Sequence, residues 1–145
     1  MRTEVLSGFV SKYCAAVVIL VAALFGLTAV PAHADNVVPP PYVDHVEWAK
    51  WGDLSSLRVY PTPAGRAASG IGSGVGPEHA WAEVLALAPE AERPGMYEQF
   101  VCHWQFAELV EPGKISWNLE PWRPAVPLER VIEAGCNPGG TEEPF

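Results

Sequence analysis

Residues 99–108 read QFVCHWQFAE, Gln99 to Glu108, and the architecture turns on this stretch because it carries the middle of a helix and one half of a covalent staple. Met96, Phe100, Trp104 and Ala107 recur at intervals of three and four, the period of one helix face, so the spacing predicts a helix whose apolar stripe packs into the core. Within it Cys102 stands directly against His103. The pair invites a nucleophilic or metal-binding reading, but neighbours on a helix or a strand project to different faces, which is poor geometry for a dyad. What Cys102 does therefore depends on the compartment the chain reaches.

The N-terminus reads as an address. Arg2 and Lys12 flank the start of an apolar run from Cys14 to about Leu27, shorter than the roughly 20 residues that span a bilayer. Pro31 breaks the run, and Ala32-His33-Ala34 supplies the small residues that a signal peptidase accepts. Residues 1–34 are expected to be a secretory signal peptide, cleaved between Ala34 and Asp35. The alternative, an uncleaved anchor, lacks a basic stop-transfer cluster, since DNVVPPPY follows. No twin arginine is present, and Cys14 opens the apolar run instead of closing it, as a lipid-modified cysteine would. The expectation is a protein secreted through the general route, released or held at the envelope, with no membrane contact once the signal is removed.

Without Met1–Ala34, which hold Arg2, Lys12 and Glu4, the chain carries a formal charge of −9 against −8 for the whole. Its arginines (58, 66, 93, 123 and 130) are scattered and form no stripe. Both features argue against nucleic acid and anionic membrane surfaces as partners. A chain of about 110 residues is one domain, hiding about two thirds of its unfolded surface and near the size where a staple helps. Loss of Cys14 with the signal leaves Cys102 and Cys136, and an even pair in an exported chain is normally oxidised. Closing that loop stabilises the fold by about 3.8 kcal/mol on a chain-entropy treatment. Cys102 is expected as a disulfide half, with a Cys-His nucleophilic pair or a thiolate metal ligand as alternatives.

Outward from the central helix, residues 35–41, DNVVPPP, form a Pro-rich extended lead-in. Residues 42–136 form a single α+β domain of short antiparallel strands packed with two or three helices. In YVDHVEWAKW, residues 42–51, the alternation of Val46 and Trp48 competes with a helical pairing of Glu47 and Lys50, and strand is preferred. Leu57 and Val59 alternate with Arg58 and Tyr60, and Gly52-Asp53 between the two runs suggests a hairpin. PTPAGRAASGIGSGVGP, residues 61–77, reads as a low-complexity connector with a flexible Gly-rich loop over 65–76. Its glycines fit no phosphate-binding pattern. A dinucleotide fingerprint needs glycine where Val75 stands, a phosphate loop needs a Gly-Lys-Ser/Thr end, and a serine elbow needs glycine where Ile71 stands. No cofactor is implied.

Pro77 and Glu78 open a helix with Trp81, Val84, Leu85 and Ala88 as its stripe, and Pro89 stops it. KISWNLE, residues 114–120, sets Ile115, Trp117 and Leu119 against Lys114, Ser116, Asn118 and Glu120, the pattern of a half-buried strand. Leu128, Val131 and Ile132 mark a short helix ended by Gly135, where glycine suits a left-handed cap. Residues 137–145, NPGGTEEPF, read as an acidic flexible tail with little to bury.

The segments AWAEV, PGMYEQFVCH, WNLEPWRP and AGCNPGG, in that order, resemble a family of small exported actinobacterial proteins, mycobacterial ones included, classed as a domain of unknown function. The similarity runs from about His45 to Gly140. The resemblance implies export and supplies no catalytic residue.

Two functional readings remain. The first is a non-enzymatic binding or structural factor of the cell envelope or extracellular space, whose partner is an unidentified envelope ligand or protein. Six tryptophans (48, 51, 81, 104, 117 and 122) and an acidic surface motivate it. Trp122, between Pro121 and Arg123, is the best candidate for an exposed indole, and Trp122 and Arg123 are the candidate binding residues. The plainer account of any one tryptophan is core filler. The second is a small envelope-directed hydrolase in which His103 is the general acid or base, Glu120 orients it, Arg123 holds an anionic group and Asn118 lies close by. A structural Glu120–Arg123 ion pair and a histidine satisfied within its helix explain the same residues. No metal site is expected. His79 and Glu83 lie one helical turn apart but lack the two-histidine protease pattern, and His45, His79 and His103 form no ligand signature.

Overall fold

The structure is a computed structural model that describes residues 38–140. The expected signal segment with its cleavage point at Ala34 and Asp35, residues 35–37 of the lead-in and the tail beyond Gly140 lie outside the described residues. Strand wins over helix in the first segment. β1, Val43–Trp51, and β2, Leu54–Pro61, form an antiparallel hairpin with Trp51 opposite Leu54. Gly52 turns the corner at φ +56°, a left-handed conformation that a residue without Cβ adopts freely. β3, Trp117–Leu119, joins β2 antiparallel, with Leu57 opposite Leu119 and Val59 opposite Trp117, so the sheet runs β1-β2-β3. Side chains alternate along a strand, so these four residues point to one face, and all four are fully buried there. Val46 and Trp48 of β1 pack against the same core.

Four helices accompany the sheet: α1, Pro63–Ala68; α2, Pro77–Leu87; α3, Met96–Val110; and α4, Leu128–Glu133. The stripe expected on α3 is the centre of the core. Met96, Phe100, Trp104 and Ala107 are all buried, and the rings of Phe100, Trp104 and Trp117 meet with centroids 6.0 to 6.2 Å apart. α2 buries Ala80 and Val84, and its Glu83 carboxylate accepts from the Tyr42 and Val43 N–H groups at 2.7 and 2.8 Å, which fixes the start of β1. α4 is held to α3 by the Cys102–Cys136 disulfide, Cα atoms 5.5 Å apart, with Val131 buried beside it. The domain is α+β with one disulfide, as expected.

The structure departs from the sequence expectations in three places. The connector is not loose from its start, because residues 63–68 form α1: the Thr62 hydroxyl accepts from Gly65 N–H at 2.9 Å and Pro63 occupies the first turn. Gly65 lies against the Tyr42 carbonyl, so close that a Cβ would sit 2.1 Å from its oxygen. Further on, Gly70 N–H bonds Trp104 O and Val75 is buried in the core, so the loop is anchored at two points. The second departure is Ile115, which is 77% exposed, because β3 begins only at Trp117. The third is the tail, whose first residues are docked: Pro138 is buried, and the Pro138 and Gly140 carbonyls accept from Arg123 Nη1 at 3.3 Å.

Candidate functional site

β3 pairs with β2 along one edge, and its other edge would leave backbone groups without strand partners. Side chains of α3 take them. Gln99 donates through Nε2 to Glu120 O at 3.0 Å and accepts Glu120 N–H on Oε1 at 2.9 Å, while His103 Nε2 lies 3.1 Å from Asn118 O. Gln99 and His103 stand four apart, one above the other on a helix face, and Asn118 and Glu120 stand two apart, on one side of a strand. The two periods match, and α3 completes the sheet edge in place of a fourth strand.

The bond to Asn118 also assigns the imidazole proton. A carbonyl only accepts, so Nε2 carries the hydrogen and Nδ1 keeps its lone pair. Burial pushes the His103 pKa down to about 4, with Lys114 and Arg123 adding to the fall and the Asn118 bond opposing it. The ring is neutral at pH 7.

Glu120 lies on a different network. Its carboxylate accepts from Ser56 Oγ at 2.9 Å and from Arg123 Nε at 2.7 Å, and the Glu120 and Arg123 side chains are 1% and 0% exposed. The Arg123 guanidinium lies 4.6 Å from the centroid of the Trp122 ring. Trp122 is 39% exposed, whereas Trp104 and Trp117 are sealed in the core and Trp48, Trp51 and Trp81 are half-buried. Of the residues read as a hydrolase site, Glu120 and Arg123 come together and His103 stays apart, bonded to the Asn118 backbone and not to Glu120.

The three described histidines occupy three separate elements. His45 on β1 stacks on Tyr60 at 4.1 Å and bonds Asp44 at 2.6 Å, His79 lies near Glu78 at the start of α2, and His103 is on α3. Glu83, one turn from His79, is occupied by the β1 backbone. Among the described residues no group of three or more metal-capable side chains converges, and no helix is long and apolar enough to cross a membrane.

One feature gave no sequence signal. A cleft of about 180 Å³ opens between α3 and α4, walled by the disulfide, Phe106, Val110 and Ile132, with His103 at its side. Its walls come from two segments, distant in sequence, that the disulfide and the packing around Val131 bring together.

The family described as "Protein of unknown function (DUF2599)" matches residues 43–139, which covers the sheet, all four helices and the disulfide. The chain belongs to that family. Family relatives include Uncharacterized protein Rv0477 of Mycobacterium tuberculosis (strain ATCC 25618 / H37Rv), 58% identical over 106 residues, which are 73% of this chain and 72% of the relative. Uncharacterized protein ML2452 of Mycobacterium leprae (strain TN) is 44% identical over 102 residues, 70% of this chain and 83% of the relative. No solved structure matches the chain. The domain is thus an actinobacterial domain of unknown function.

Proposed function

We propose that the protein is exported and acts as a non-enzymatic binding or structural factor of the cell envelope or extracellular space, with Trp122 as its contact residue. The observation that carries this reading is the seating of Trp122. Its exposed indole rests on a guanidinium that is itself held by Glu120, Pro138 and Gly140. A large ring presented on a rigid base loses little freedom on binding, which suits stacking on a sugar ring or filling a partner's pocket. The Cys102–Cys136 bridge accords with an oxidising compartment. The hydrolase alternative, with His103 beside Glu120 and Arg123, draws no support from this geometry, because Glu120 and Arg123 are committed to each other and His103 is bonded to the Asn118 backbone instead of to Glu120.

Co-sedimentation of the protein with purified cell-envelope material of its host tests the reading. Trp122→Ala is expected to weaken binding by at least about tenfold, the scale of an aromatic anchor, while Trp122→Phe retains most of it. Equal binding by the protein and its Trp122→Ala variant would remove Trp122 from the account.

A further inference from the structure

We infer that the cleft between α3 and α4 binds a small neutral molecule with an apolar body and one hydroxyl, of the size and character of a phenol, with His103 Nδ1 as the acceptor. Three observations select that chemistry. The first is size and lining: the cleft measures about 180 Å³, and the disulfide, Phe106, Ala107, Val110 and Ile132 give it an apolar body beside the polar Glu111, Lys114 and Asn137. An apolar cavity of roughly 150 Å³ takes up benzene, so one aromatic ring fits this space.

The second is the state of His103. His103 is more than nine-tenths buried and its Nε2 is committed to Asn118 O, whereas Nδ1 makes no hydrogen bond among the described residues and His103 lines the cleft. A lone pair in that position calls for a donor and repels a carbonyl or carboxylate oxygen. A hydroxyl supplies the donor. The third is charge. The charged residues of the lining are one of each sign, and they pair with each other, Lys114 Nζ to Glu111 Oε2 at 2.8 Å, so a neutral body fits the cleft. Donor, ring-sized body and neutrality together describe a phenol. This site adds to the Trp122 contact and does not depend on it.

The test is titration of the oxidised protein with phenol and, separately, with benzene, followed by NMR shifts. Phenol is expected to move the Val110 and Ile132 methyl signals and the His103 ring nitrogens, and to bind about two- to tenfold more tightly than benzene, the margin of one hydrogen bond. His103→Gln keeps an acceptor and should preserve that preference, whereas His103→Leu should bring the two ligands level. Trp122→Ala should bind phenol unchanged, which separates this site from the envelope contact. Shifts confined to other surfaces, no shifts at all, or equal affinity for the two ligands in the unaltered protein would overturn the proposal. The last comparison decides the matter even if His103→Leu fails to fold. A phenol preference that survives in folded His103→Leu would contradict the assigned acceptor.

Discussion

His103 is neutral because burial withdraws it from water, and that has a consequence for stability. Its pKa is near 4 in the folded chain and about 6.5 once exposed, so between these values the unfolded state binds a proton that the folded state does not. Stability from this residue is therefore complete above about pH 6.5, falls as the pH drops towards 4 and levels off below it. The full loss is roughly 3 kcal/mol at 1.36 kcal/mol per pKa unit. Urea unfolding of the protein and of His103→Gln at pH 7 and pH 4.5 checks this, because carboxylate titrations common to both cancel in the difference, and the variant should lose less. Glu120 bears on stability more directly. Glu120→Ala removes the carboxylate that Arg123 and Ser56 bond inside the protein, and unfolding should show a cost of about 3–5 kcal/mol. The pairing of Glu120 with Arg123 was legible three residues apart. Ser56 was not, because it stands 64 positions away and only the sheet brings it near.

At the scale of elements, the period of two in β1 and β2 and the stripe of α3 were written plainly, since each segment has one buried face and burial sets the pattern. α1 was hidden. Thr62-Pro63 is a helix-start signal, but the Ala and Gly that follow resemble the glycine-rich loop beyond them. The reason for Gly65 is a contact with Tyr42, a residue distant in sequence that the β1–β2 hairpin brings back beside α1. Helix propensity alone would make Gly65→Ala stabilising by about 1 kcal/mol. The Tyr42 carbonyl reverses the sign, and thermal or urea unfolding should show a loss of about 1–3 kcal/mol. Ile115 teaches the complementary lesson. Its alternation with Trp117 and Leu119 is real in the sequence, yet pairing with β2 runs only from Leu57 to Val59, so the strand stops short of it.

For the whole molecule, the disulfide was readable from cysteine count and the export pattern, whereas the cleft was not, because it exists only once α3 and α4 are joined. The Cys102→Ala/Cys136→Ala variant should lose about 2–5 kcal/mol in unfolding measurements. Intact mass of the protein from culture medium should show an N-terminus at Asp35 and two thiols that alkylate only after reduction. Free thiols in the native protein would return Cys102 as a candidate nucleophile. That α3 closes the sheet edge through Gln99 and His103 is tested most directly by ¹⁵N NMR of the His103 ring between pH 3 and pH 8. The expected result is a neutral imidazole with its proton on Nε2 down to about pH 4. A ring that titrates near 6.5, or that carries its proton on Nδ1, would mean that His103 does not hold β3.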